Sequence, residues 1–147
     1  MEVRRVGAER AVSEAISVRR SVFVDEQGVP EERELDGRDD ESIHVLARDG
    51  DEPVGAARLR EYDDGTAKVK RVAVIASRRK EGIGRELMAV VESTAAAEGY
   101  EEVLLHAQVP VVAFYERLGY EVTSEEFEDA GIAHREMRKS LGASTNP

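Results

Sequence analysis

Three β-forming segments, residues 43–48, 54–62 and 67–75, follow one another with only tight turns between them. Asp49-Gly50-Asp51-Glu52 closes the first hairpin and Asp63-Asp64-Gly65 the second. Strands joined this closely must run antiparallel, because a parallel pair needs a crossover of about a dozen residues. The middle of the chain therefore reads as an antiparallel meander. The rest has to pack on the faces or edges of that sheet.

Glu2–Val6 reads as a short leading strand and Ala8–Val24 as a helix, with apolar Ala11, Val12, Ala15, Ile16 and Val22 at mixed three and four spacing. Asp25–Ser42 is an acidic loop with Gly28, Pro30 and Gly37, long enough for a functional role. After the meander the rhythm changes. Gly82–Glu98 carries Ile83, Leu87, Val90, Val91 and Ala95 on one helical face, and Gly99 stops it. Glu102–Ala107 reads as a short buried strand. Val111–Leu118 reads as a helix, with Pro110 near its first turn and Gly119 at its end. Tyr120–Thr123 and His134–Lys139 read as two final strands around the loop Ser124–Ala133, and Gly142–Pro147 as a frayed tail. This order, β-α-β-β-β-α-β-α-β-β, implies a mixed α/β sheet with helices on both faces. No composition break divides the 147 residues, so one domain is expected over residues 1–141.

Composition removes several classes of function. With no cysteine, a thiolate metal site, a disulfide framework and a cysteine nucleophile are excluded. The three histidines, His44, His106 and His134, are widely spaced, and no bound metal is expected. A net charge of −10 argues against nucleic acid as a partner. No apolar run reaches the length of a membrane span and the N-terminus lacks an apolar leader, so a cytoplasmic location is expected. Only Lys68, Lys70, Lys80 and Lys139 are lysines among 21 cations. An acidic, lysine-poor balance is expected of a protein that stays soluble in concentrated salt.

One window departs from that balance. Gly65–Lys80 holds six cations, Lys68, Lys70, Arg71, Arg78, Arg79 and Lys80, and no acid. A local positive field on an acidic protein marks a candidate site for an anionic ligand. There the strand Val72-Ala73-Val74 leads into Arg79-Lys80-Glu81-Gly82-Ile83-Gly84-Arg85, which opens the best helix in the chain. Unpaired N–H groups at a helix start bind phosphate oxygens, and glycines let the backbone approach closely. A P-loop needs Gly-Lys-Ser/Thr, which is absent. A dinucleotide fingerprint needs a third glycine where Leu87 stands, and an acid after the next strand, whereas Glu101 and Glu102 precede it.

These residues resemble the GNAT superfamily of acyl-CoA-dependent N-acetyltransferases. Arg79, Gly82 and Gly84 match its Arg/Gln-x-x-Gly-x-Gly/Ala signature, and Ala113-Phe114-Tyr115-Glu116-Arg117-Leu118-Gly119-Tyr120 resembles its second element, in the right order and at the usual distance. Residues 22–30, Glu34-Leu35-Asp36-Gly37 and Ala130-Gly131-Ile132-Ala133-His134 resemble the ElaA-like branch. The resemblance implies a mostly antiparallel sheet of about six or seven strands, with the fourth and fifth splayed apart. It also implies acetyl-CoA as co-substrate, a small-molecule or peptide amine as acceptor, and direct attack in a ternary complex. Dimers are common in the resembled family, which leaves a homodimer open.

On this chain the resemblance implies that Val72, Ala73 and Val74 hold the pantetheine arm through backbone groups, with the N–H of Val74 or a neighbour at the oxyanion. The turn Arg79, Lys80, Glu81, Gly82, Ile83, Gly84 and Arg85 would hold the pyrophosphate. Gln108 stands where many members carry asparagine and offers the same amide on a longer arm. Tyr115 is the expected general acid to the departing sulfur. His106, at the end of the fifth strand, is the candidate base. Glu26 and His134 are expected on the acceptor side. Two other readings stay open at this point: a catalytically silent acyl-CoA-binding module, and an α/β domain that binds no CoA.

Overall fold

The computed structural model describes residues 1–30 and 39–141, with the side chain of Asp40 left out. The segment Glu34–Gly37 and the tail 142–147 lie outside the described residues.

The leading strand is β1 (Glu2–Val6), and helix α1 covers Glu9–Arg19. The chain then continues as a π-helical turn, Arg20–Glu26, so the expected helix Ala8–Val24 is two kinds of helix in series. The meander is β2 (Ile43–Asp49), β3 (Glu52–Asp63) and β4 (Thr66–Val74). Helix α2 (Ile83–Ala97) and strand β5 (Glu102–Gln108) follow, then a 3-10 turn (Val109–Val111) that feeds the short α3 (Val112–Arg117). Strands β6 (Glu121–Val122), β7 (Phe127–Asp129) and β8 (Ile132–Ser140) close the fold. β7 falls inside the expected loop Ser124–Ala133. With it the described residues hold eight strands, more than the six or seven expected.

The sheet order is β1-β2-β3-β4-β5-β8-β6, with β7 pairing β8. All pairs are antiparallel except β4–β5. The parallel pair needs a crossover, which α2 supplies. No helix among the described residues is long and apolar enough to cross a membrane.

The two faces of the meander bury separate cores. Leu46, Ala56 and Ala73 pack under α1 with Ala15, Val18 and Val22. Val45, Ala47, Ala57 and Val69 pack under α2 with Ile83, Leu87, Met88 and Val91. Successive strand residues point to opposite faces, so β2 and β3 read as nearly continuous buried runs. The first turn of α2 comes very close to β3. A Cβ on Gly55 would sit 3.0 Å from both Ile83 Cγ2 and Leu87 Cδ1.

Beneath α1 two arginines are fully inside, Arg19 at 0% and Arg58 at 1% exposure. Asp39 Oδ1 accepts from both, at 2.6 Å from Arg19 and 3.2 Å from Arg58, and the Asp39 carbonyl lies 3.0 Å from His44 Nε2. Burial works to raise the Asp39 carboxyl, but the two guanidinium groups outweigh it and hold it low. This carboxylate anchors the far end of the acidic loop.

Overpacking at Gly55 tests how α2 is seated. Gly55→Val is expected to lower stability by about 1–3 kcal/mol, read by chemical denaturation, because neither Ile83 nor Leu87 has room to move.

Candidate active site

β4 and β5 pair only over four residues, Thr66–Val69 against Glu102–Leu105. Beyond them the strands separate. The cause lies in β4, where the register against β3 slips between Ala56 and Arg58, and Arg71 takes a left-handed φ of 60°. An extra residue in one strand bends it away from its neighbour. A cavity of about 670 Å³ opens in the gap.

The glycine turn forms one end of that cavity. Lys80 and Gly82 have φ of 68° and 87°, so the chain reverses sharply before α2 begins. Gly84 carries no side chain because Phe114 lies against it; a Cβ would come 3.3 Å from the ring. Arg79, Lys80, Gly82, Ile83, Gly84 and Arg85 all line the cavity. Glu81 does not. Its carboxylate turns away to accept from Arg78 Nε at 2.9 Å.

Val72, Ala73 and Val74 form the β4 wall of the cavity. The N–H of Ile75 bonds back to the Val54 carbonyl at 3.0 Å. Because adjacent strand residues point their backbone groups to alternate sides, Val74 N–H and C=O face the open gap. Arg79 Nε donates to that carbonyl at 3.0 Å, which leaves the Val74 N–H as the donor on the wall.

Glu26, expected on the acceptor side, is bonded to the turn. Both of its oxygens accept from Arg79, at 2.6 and 2.7 Å, and these bonds hold its carboxyl below the ordinary value. Glu26 is not among the residues that line the cavity. Both partners are 39% exposed, so solvent and salt screen the pair.

On the opposite wall Tyr115 is 7% exposed, edge-on to the rings of Phe114 and Tyr120. No hydrogen bond joins its hydroxyl to another described residue, although the side chain lines the cavity. Burial pushes that hydroxyl above the ordinary phenol value, so it keeps its proton at neutral pH. Gln108 also lines the cavity, but its amide is engaged: Nε2 donates to Gln27 Oε1 at 2.9 Å. Gln27 thus braces the π-helical turn against the end of β5.

His106 lies edge-on to Phe127 at 5.0 Å, with Nε2 3.8 Å from Glu136 Oε1. Burial is the main cause that lowers its pKa from 6.5 to about 4, helped by Lys68 and opposed by Glu136. The ring is neutral at pH 7 but a weak base, roughly six pKa units below an alkylammonium. His134 is better defined. Its Nδ1 lies 2.7 Å from the Ile132 carbonyl, which can only accept, so Nδ1 carries the hydrogen and Nε2 the lone pair. The ring stacks on Phe127 at 5.9 Å and 21°.

The structure also brings to the cavity wall residues that the sequence alone assigned no site role: Gln27, Phe23, Arg78, Phe114 and Asp129, together with Lys70 and Arg71. Lys70 and Arg71 belong to the basic window. Gln27 and Phe23 lie in the segment 22–30 that carries the resemblance.

A family model described as an acetyltransferase (GNAT) domain matches residues 8–141. The chain is 45% identical over 132 residues to the uncharacterized N-acetyltransferase YjcF of Bacillus subtilis, covering 89% of this chain and 94% of that protein. It is 32% identical over 131 residues to ElaA of Escherichia coli, covering 86% and 85%. The crystal structure of ElaA superposes with a TM-score of 0.83 at 28% identity, over 94% of this chain and 98% of that one. An acyl-CoA N-acyltransferase from Pseudomonas aeruginosa gives 0.82 at 26% identity, over 94% and 97%. The chain belongs to the GNAT acetyltransferase family. It is an acyltransferase with that family's mixed, mostly antiparallel fold.

The His106 environment has a pH signature. An NMR titration is expected to place its midpoint near 4. A histidine held neutral stabilises the fold fully above its unfolded value of about 6.5 and loses that contribution as pH falls toward the folded value. Stability of the wild type should therefore fall more steeply than that of His106→Gln between pH 6.5 and 4. A midpoint at or above 6.5 would refute the burial argument.

Proposed function

We propose that the chain transfers an acetyl group from acetyl-CoA to the nitrogen of a small amine by direct attack, with both reactants held in the β4–β5 gap. The observation that carries this reading is the cavity itself. Its volume suits a bound ligand, and it runs from a cationic turn with two glycines to a buried tyrosine whose hydroxyl has no described partner. The family relatives support it through their names as N-acetyltransferases and an acyl-CoA N-acyltransferase.

The residues fit an acyl-CoA. Backbone N–H groups at the start of α2, with Arg79, Lys80 and Arg85, suit a diphosphate, and the missing side chain of Gly82 leaves open space for close approach. The β4 edge at Val72, Ala73 and Val74 suits the amide-bearing arm. The Gln108 amide, which lines the cavity while bonded to Gln27, keeps a second N–H for that arm. When bound, acetyl-CoA supplies a thioester carbon that takes the amine nitrogen, the C–N bond forming as the C–S bond breaks.

The protein groups then divide the work. The Val74 N–H is the fixed donor for the carbonyl oxygen. Tyr115 holds a proton for the departing sulfur, and the burial that raises its hydroxyl equally raises the proton affinity of a thiolate beside it. His106 is too weakly basic to strip an ammonium. The amine sheds that proton to water before attack, and the proton released on C–N bond formation passes through solvent, which returns one proton to Tyr115.

Two measurements test the assignment. Coenzyme A at 100 times its Kd should stabilise the fold by about 2.7 kcal/mol, and Gly82→Val should abolish the effect. Tyr115→Phe should lower kcat about 10²-fold with little change in the KM for acetyl-CoA, read by thiol release. Tight coenzyme binding without thiol release on any amine would identify a silent binding module instead.

A further inference from the structure

A smaller chamber of about 170 Å³ adjoins the groove where β4 and β5 have parted. Seven described residues line both spaces and so mark the junction between them. Most of their polar groups are already engaged. Lys70, Arg71 and Asp129 each interact elsewhere in the fold. Gln27 and Gln108 bond to each other through their amides, at 2.9 Å. Phe23 offers no polar side-chain atom. That leaves His134.

Two independent contacts hold the His134 ring in place. In β8 it pairs with Gln108 of β5 on one side and Phe127 of β7 on the other. Directly paired residues of an antiparallel sheet share a face, and the ring stacks on Phe127. Nδ1 donates to the Ile132 carbonyl at 2.7 Å, which puts the lone pair on Nε2. Among the described residues nothing donates to Nε2, and unlike His44 Nδ1 it is not a sealed interior atom. Lys70 and Arg71 from β4, Asp129 from β7 and His106 from β5 are the titratable groups that share the groove walls with it, and none of them bonds to that nitrogen. The other histidine of the groove, His106, is drawn toward Glu136, and burial weakens it as a base.

We propose that His134 Nε2 receives the acceptor amine: the incoming nitrogen donates one N–H to it while the lone pair of that nitrogen faces the thioester carbon. This rests on the acetyltransferase reading above and adds to it the residue that takes the amine's proton. As the C–N bond forms and the C–S bond breaks, the nitrogen gains positive charge and its N–H bonds become more acidic. The bond to Nε2 therefore strengthens more in the transition state than in the ground state, and only such a difference lowers the barrier. The N–H proton crosses to Nε2 and passes from there to solvent, while the sulfur takes its proton from Tyr115. The imidazole is then neutral again for the next turnover.

The test follows thiol release from acetyl-CoA on the intact protein, with amino acids, spermidine and a lysine peptide as trial acceptors and imidazole alone as the blank. With an amine that the wild type uses, His134→Ala should lower kcat about 10²-fold. Coenzyme A should stabilise that variant as it does the wild type. Added imidazole should recover most of the lost rate, by filling the vacated space with the same nitrogen base. His134→Gln keeps a side chain against Phe127 and guards against a failure of the smaller variant to fold. It should lose as much rate, because an amide oxygen accepts the bond but cannot carry the proton. Wild-type rates in either variant would overturn the assignment and leave the acetyltransferase standing. So would a loss in His134→Ala that imidazole does not recover, or a loss in both variants matched by lost stabilisation by coenzyme A. No thiol release by the wild type on any amine of the panel would instead sink the acetyltransferase reading itself.

Discussion

The parting of β4 from β5 is the constraint on which the site depends. A sheet normally satisfies its backbone groups strand against strand, and here the pairing stops after Leu105 on one side and Val69 on the other. The bulge at Arg71 bends β4 away from β5, and helix α2 crosses close over β3 at a residue with no side chain, Gly55. One backbone wall, one glycine turn and one chamber all come from that single local departure from regular pairing. A straight β4 would heal the sheet and leave no room for a ligand.

Much of this was readable before any coordinates, and the reason is physical. Hairpin turns, glycine stops and apolar periodicity are local signals, and the meander, α2 and β5 follow them to within a residue or two. What escaped depends on contacts distant in the chain. β7 is three residues of mixed polarity, Phe127-Glu128-Asp129, and becomes a strand only because β8 lies beside it. The change from α to π winding after Arg19 leaves no local mark either. It places Gln27 against Gln108, 81 positions later.

The site divides along the same line. The turn was legible because its glycines and cations are consecutive and their chemistry follows from the backbone. Glu26 was assigned to the acceptor side from its segment alone, yet it reaches across 53 positions to Arg79. Glu81 lies within the turn by sequence and points out of it. His106 sits at the expected strand end, but burial and Lys68 weaken it as a base, which no reading of its neighbours in sequence could supply. Lys70 and Arg71 were visible as charge and invisible as a wall.

The turn is also far less positive than its run of cations suggests. Arg79 is held by Glu26, and Arg78 by Asp49, Glu52 and Glu81, carboxylates drawn from the π-helical turn and the β2–β3 hairpin as well as from the turn itself. On the reading proposed above, an arriving diphosphate would exchange places with a resident carboxylate, where on a bare basic patch it would expel small ions into solution. Coupling of affinity to ionic strength comes from such expelled ions. On that reading an exchange of one tethered anion for another leaves the coupling shallow, so the grip on a polyanion would hold across a wide range of salt.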